Sequence, residues 1–312
     1  MMEPIPLSSL DKSDVPAELQ AETYFDFSAH PFSHQSLFDD ANSVCDAITG
    51  IHEYASHWLR NTISSRRDDA NAWACADDSP TRCNGRFKVL IEEGAIFEPS
   101  VILGVAEDAE PCTVYLAANA NVIGARLYLE KGDIFIGENS SVEPGAGIKG
   151  PAIIGSDTEI RQDAYLRGDC ILGDQCTLRG EMKNSVLMNG ANFPHPSYLG
   201  DSLCGYESHF GNQATSANLG IYAGLAQSGE RESIVITCGD KRYDIGRSKM
   251  GVCMGDYCQL GCNTVTDPGT FLKPYTIAYS LTRISKGFYG PNEVLKNKPM
   301  DHGIIERVPF KR

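Results

Sequence analysis

The residues best suited to chemistry lie in the middle of the chain. His195 is held between Pro194 and Pro196, with Lys183 and, further back, Arg167 preceding it. Histidine has an unperturbed pKa of about 6.5, so it is the side chain able to accept a proton near neutrality. Two fixed cations form a credible clamp for a phosphate, the arginine binding it bidentately. Tyr198 closely follows His195, and Asn218 comes later in the same stretch. Each has a plainer reading beside the chemical one. The histidine suits a rigid corner, the cations are two of 27 Lys and Arg, the tyrosine suits packing, and the asparagine suits a turn.

What positions these residues is a period of six. Ile136, Val142, Ile148, Ile154, Ile160, Leu166, Leu172 and Leu178 follow one another at that interval without a miss. Four places after each stand Ser140, Ala146, Ala152, Thr158, Ala164, Cys170, Cys176 and Met182, all small but the last. Neither a helix nor an alternating strand has this period. A triangular coil does: each side is a short strand, each corner a turn, and three sides make about 18 residues. The fold class expected is mainly β, a single-stranded parallel β-helix of the left-handed type built from hexapeptide repeats. Arg167 and Lys183, separated by nearly one such coil, then stand side by side on neighbouring coils after a small turn adjustment.

Glycine use marks the boundaries. Of the 30 glycines, Gly50 is the only one before Gly85. Leu37, Ala41, Val44, Ile48, Ile51, Ala55 and Trp58 form one apolar stripe of a helix, for which Ser36 and Asp39 suggest a start. The run from Ser64 to Gly85 reads as a linker. The expected organisation is an N-terminal helical segment and linker over 1–86, the β-helix over 87–285 with a loop insertion at about 219–248, and a tail over 286–312. The helix is expected to pack across or cap the repeats.

Composition excludes some functions. A net charge of −14 disfavours bulk binding to nucleic acid or to anionic membrane. No run reaches the roughly 18 apolar residues of a membrane span, and Met1 to Asp14 lacks a signal-peptide pattern. Eleven cysteines without such a signal read as reduced thiols, and the expected location is cytoplasmic. Cys253, Cys258 and Cys262 match no familiar zinc spacing, and no metal is expected.

Residues 165–218 carry a family likeness in the Arg of "LRG", the "KNS" run, "PHxSYxGDS" and the final "AN". With residues 249–262 (KMGVCMGDYCQLGC), "NTVTDPGT" and "GPNEVLK", this resembles the acetyltransferase half of bifunctional N-acetylglucosamine-1-phosphate uridylyltransferase/glucosamine-1-phosphate acetyltransferases and their archaeal and bacterial sugar-nucleotidyltransferase relatives, over about two thirds of the chain. The resemblance implies acetyl transfer from acetyl-CoA to the amine of a hexosamine 1-phosphate. His195 falls on the family's general base and Asn218 on an asparagine that orients the amine. Arg167, Lys183 and Tyr198 fall on residues that hold the sugar phosphate. Asn212, within the Gly211-Asn212-Gln213 turn, falls where an oxyanion donor is placed, and Cys262 where a small residue lines the coenzyme A groove. The likeness also implies a homotrimer with the groove between neighbours.

Two departures matter. The glycine-rich phosphate loop of a nucleotidyltransferase half is missing from the sequence up to Gly85, so no sugar-nucleotide synthesis is expected. Gly211-Asn212-Gln213 stands where the family commonly has Gly-Ala-Gly. The alternative to an aminosugar-phosphate N-acetyltransferase is a non-catalytic relative that binds a sugar phosphate or nucleotide sugar, or docks on an enzyme through its N-terminal helix. The γ-class carbonic anhydrases share the β-helix and a turn like Arg167-Gly168-Asp169, but their site needs three histidines, and only His195 and His209 lie in the repeats. The chemical reading requires the His195 imidazole to stand near both cations.

Overall fold

The computed structural model describes residues 3–76, 79–221 and 231–298. Their dominant feature is a left-handed β-helix with three long parallel faces. The first face runs from Phe87–Ile91 to Gly287–Tyr289, the second from Ile96–Glu98 to Val294–Leu295, and the third from Arg82–Asn84 to Arg283–Ile284. Strand 71–72 joins the first face antiparallel to 87–91. The stack thus begins inside the run read as a linker and continues into the run read as a tail. Residues 299–312 of that tail lie outside the described residues, as do Asp77 and Asp78 of the linker.

The six-residue period arises because one aliphatic side chain per side fills the prism. Ile134 pairs with Ala152, and Ala152 with Cys170, each three hexapeptides further on. Ile136, Ile148, Ile154, Ile160 and Leu166 are all fully buried inside. Corners require a left-handed backbone residue, supplied at one edge by Asn119, Asn139, Asp157 and Gln175 with φ of 52–58°. Asn and Asp tolerate that region because their short polar side chains bond locally. Asn139 Nδ2 indeed donates to Asp157 Oδ1 at 3.1 Å on the next coil.

The coil after Leu166 is shortened. Leu166 pairs with Met182 and Cys170 with Ser185, so this coil falls first two and then three places short of the full repeat. Met182 therefore occupies an interior strand position rather than the small corner position that an unbroken count assigns it, which is why a large residue fits there. The following coil is one place short, Val186 pairing with Leu203, and the break after it is larger: Leu203 pairs with Cys253 across an inserted segment. The insertion contains an antiparallel hairpin, Val235–Cys238 with Lys241–Asp244, joined in parallel by Ile5–Pro6. Residues 222–230 of the loop insertion expected at about 219–248 lie outside the described residues. The chain re-enters the stack at Gly251, where a Cβ would meet Ser202 Oγ at 2.2 Å and Gly200 O at 2.3 Å. Only glycine fits that approach.

The N-terminal helix begins later than the apolar stripe suggested. A single turn, α1 (Ser36–Asp39), is followed by α2 (Val44–Ser65). Ser43 caps α2: its Oγ accepts from Asp46 N at 3.1 Å and donates to Asp46 Oδ2 at 2.8 Å. This is an N-cap in which the Ser43 hydroxyl bonds both the backbone and the side chain of Asp46. Val44, Ile48, Ile51, Ala55 and Leu59 of α2 are buried against the outward side chains of the first face, among them Phe135, Ile153, Ile171 and Val186. Strands of that face are apolar on both sides, as for any sheet covered on both sides. The first face is closed by the chain itself; among the described residues no helix covers the other two.

Candidate functional site

The third face carries the cations. With Leu166 opposite Met182, the next residues, Arg167 and Lys183, lie on adjacent coils. Lys183 in turn pairs with Gly200, and Glu181 with Tyr198. Lys183 Nζ has no hydrogen-bond or ion-pair partner among the described residues. Arg167 is differently placed: its guanidinium donates to Glu181 Oε1 at 2.6 Å, and that bond holds its pKa above the ordinary value. Glu181, on the same strand as Lys183, is thus an acid within the proposed clamp that the sequence reading had not weighed.

Tyr198 lies between. Burial, then Glu181 and Asp201, push its pKa above the ordinary value, so it is a neutral phenol and a donor. Gly200 makes room for it: a Cβ there would lie 2.5 Å from Tyr198 Oη and 2.7 Å from Asn218 Nδ2. The hydroxyl and Asn218 Nδ2 thus border the same gap over Gly200, and Asn218 Nδ2 donates to Asp201 Oδ2 at 2.6 Å. Asn218 therefore belongs with Tyr198 at the cation edge of the face.

His195 occupies the opposite edge. It is exposed in the turn between Asn192–Phe193 on the second face and Tyr198–Gly200 on the third. Gln213 N donates to Pro196 O at 2.8 Å and Asn263 N to Asn212 O at 2.9 Å, so the turns of His195, Asn212 and Cys262 are stacked along one corner. Asn212 and Cys262 are both exposed there. Gly211 N and Gln213 N are committed to coil-to-coil bonds with Leu260 O and Pro196 O, so Asn212 supplies the free amide of this turn. His209 is a near neighbour of His195: burial lowers its pKa, a bond with the Asn192 backbone opposes this, and the His195 charge adds to it. His209 is accordingly a neutral imidazole at this corner, and the sequence reading gave it no role.

The structure thus gathers two groups rather than one. Arg167, Lys183, Tyr198 and Asn218 share one edge; His195, Asn212 and Cys262 share the other. The run from His195 to Gly200, the partner of Lys183, is a backbone span of up to roughly 16 Å at strand rise. By backbone register the imidazole and the two cations flank opposite ends of the same strand positions, so the juxtaposition that the chemical reading requires depends on how far the side chains reach along the face. The long Arg and Lys side chains can lean back along the face and narrow that gap. A cavity of about 540 Å³ lies elsewhere, between the end of α2 and the first coils, lined by Arg60, Arg67, Trp73, Lys88 and Asp133. Among the described residues no group of three His, Cys, Asp or Glu is placed to hold a metal ion.

No family model matches the sequence. Two characterised proteins are similar to parts of it. A bifunctional sugar-1-phosphate nucleotidylyltransferase/acetyltransferase of Sulfurisphaera tokodaii is 32% identical over 99 residues, 32% of this chain. The bifunctional protein GlmU of Methanocaldococcus jannaschii is 33% identical over 89 residues, 28% of this chain. This chain resembles bifunctional nucleotidyltransferase/acetyltransferases. It spans only 23% and 20% of their lengths, and the aligned parts cover less of this chain than the two thirds over which the motifs were read. Among solved structures, the polysialic acid O-acetyltransferase OatWY is 14% identical, covering 60% of this chain and 81% of that one with a TM-score of 0.27. An acetyltransferase-like protein of Desulfovibrio desulfuricans G20 is 10% identical, covering 82% and 79% with a TM-score of 0.19. Superpositions at these scores support no functional argument. No helix among the described residues is long and apolar enough to cross a membrane.

Proposed function

We propose that this protein is an acetyl-CoA-dependent N-acetyltransferase acting on an aminosugar 1-phosphate of the glucosamine 1-phosphate kind. One observation carries the reading: a Lys183 ammonium with no partner among the described residues, beside Arg167 and the Tyr198 phenol, on a β-helix similar in sequence to sugar-phosphate acetyltransferase proteins. Three donors on one edge suit a phosphate. The amine nitrogen attacks the thioester carbonyl, forming the N–C bond as the C–S bond breaks. His195 takes the proton from nitrogen and returns it to the departing thiolate, leaving an amide and coenzyme A. The backbone N–H of Asn212 is the donor available to the transient oxyanion, and Cys262 lies along the path of the pantetheine arm. A homotrimer would let a neighbour close the open corner, and the cytoplasm is the compartment in which such substrates and reduced thiols coexist.

The experiment is thiol release from acetyl-CoA in the presence of glucosamine 1-phosphate. His195→Ala is expected to lower kcat by about 10²- to 10⁴-fold; full activity in that variant refutes the mechanism. A second reading, a sugar-phosphate binder without catalysis, is favoured by the separation of the imidazole from the cations and by Glu181 already occupying Arg167. Thermal stabilisation by glucosamine 1-phosphate but not by coenzyme A, with no thiol release, selects it.

A further inference from the structure

Beneath the cation edge lies a buried carboxylate to which neither the sequence nor the relatives assign a role. Asp201, 2% exposed, sits in a left-handed corner position with φ of 49°. Its Oδ1 accepts from Asn184 Nδ2 at 2.8 Å and from the Arg247 guanidinium at 2.6 Å, and its Oδ2 from Asn218 Nδ2 at 2.6 Å. We infer that Asp201 is a positioning residue that, through Asn218, fixes the Tyr198 hydroxyl as a donor aimed at the substrate's anion, with Arg247 of the inserted segment neutralising it. The inference rests on the phosphate-binding role proposed for this edge.

The chemistry is a matter of donor polarity. A carboxylate only accepts hydrogen bonds, so Asn218 must turn its NH₂ toward Asp201. That nitrogen has two protons. One goes to Asp201; the other is left for the space over the bare Cα of Gly200, which Tyr198 Oη also borders. In the inferred relay the phenol oxygen accepts that proton, and its own proton is left for the substrate's anion. Were the amide free to flip, it would present Oδ1, and Tyr198 would give its proton to the protein instead. Arg247 has a second function. It comes from the insertion, and besides Asp201 its guanidinium donates to Thr49 Oγ1 of α2 at 3.3 Å. Without it, Asp201 would be a naked buried charge repelling the same phosphate.

The test uses the full chain, saturating acetyl-CoA and varied glucosamine 1-phosphate. Asp201→Asn, which keeps the shape but lets the amide flip, and Tyr198→Phe should each raise KM for the sugar phosphate about 10- to 100-fold with little change in kcat, the worth of one hydrogen bond to a charged group. The double variant should be no worse than Tyr198→Phe alone, because both remove the same bond. Multiplicative losses, or a fall in kcat at constant KM, overturn the inference in favour of a corner brace. Should Asp201→Asn fail to fold, Asn218→Leu interrupts the relay at its middle and must reproduce the KM effect. If the wild-type protein neither turns over nor is stabilised by glucosamine 1-phosphate, the substrate reading has failed, and the relay is read without activity. The ¹³Cζ resonance of Tyr198 at neutral pH, assigned by its loss in Tyr198→Phe, must then move in Asp201→Asn; an unchanged resonance overturns the relay itself.

Discussion

His34 makes the N-terminal segment acid-sensitive by an amount that can be worked out. Its ring is 3% exposed, packed edge-on against Trp58 at 4.9 Å and Tyr54 at 5.7 Å between centroids, with Nδ1 3.1 Å from Tyr54 Oη. No carboxylate among the described residues compensates it, and burial lowers its pKa from 6.5 to about 4. Above pH 6.5 the ring is neutral in both folded and unfolded chains and contributes nothing to pH dependence. As pH falls from there toward 4, the unfolded chain takes up a proton that the folded one refuses, so stability declines with acidity. The loss is complete below about pH 4 at about 3 kcal/mol, and at about pH 4.5 it is already about 2.5 kcal/mol. The assay is urea unfolding of wild type and His34→Gln at about pH 7.5 and about pH 4.5, followed by circular dichroism. The wild type should lose about 2.5 kcal/mol more than the variant between the two conditions, carboxylate effects cancelling in the comparison. Equal losses would show that His34 is hydrated or charged in the folded protein, and the packing argument would be refuted.

Glu181→Gln should tighten binding of glucosamine 1-phosphate rather than weaken it, by up to about fivefold, since it frees Arg167 from a half-exposed ion pair worth at most about 1 kcal/mol; titration calorimetry reads this directly. Phe193 and Phe210 are stacked inside the prism at 4.1 Å, so Phe210→Ala should cost about 3–5 kcal/mol, seen as a clear fall in Tm. Ser43→Ala removes the cap of α2 and should cost about 1 kcal/mol, measured by denaturant unfolding, with thiol release unaffected.

The repeats were legible because the interior of a triangular prism demands one aliphatic side chain per side, with no tolerance for drift. The count misled only where the coil shortens, and Met182 marks that place. The start of the N-terminal helix was misread for a related reason. Leu37 and Phe38 of α1 and Val44 of α2 are buried in the same cluster, so the apolar stripe runs on across a break in the backbone. The strand 82–84 was hidden because Arg82 and Asn84, at its two ends, are exposed. In the site, the adjacency of Arg167 and Lys183 followed from coil arithmetic, whereas Glu181 was overlooked although it stands on the same side of the same strand as Lys183. Asp201 lay inside the "SYLGDS" run as an unassigned letter. Its partner Arg247 is 46 residues away in an insertion, and no local pattern connects the two.

The blanket of α2 over one long side gives this rod a back and a front. A bare triangular solenoid would offer three comparable flanks, and neighbours could approach from any of them. Here the ridge bearing His195, Asn212 and Cys262 runs where the two flanks meet that no helix of the described residues covers. Whatever molecule settles against the front, small or large, must therefore share that ridge with the imidazole.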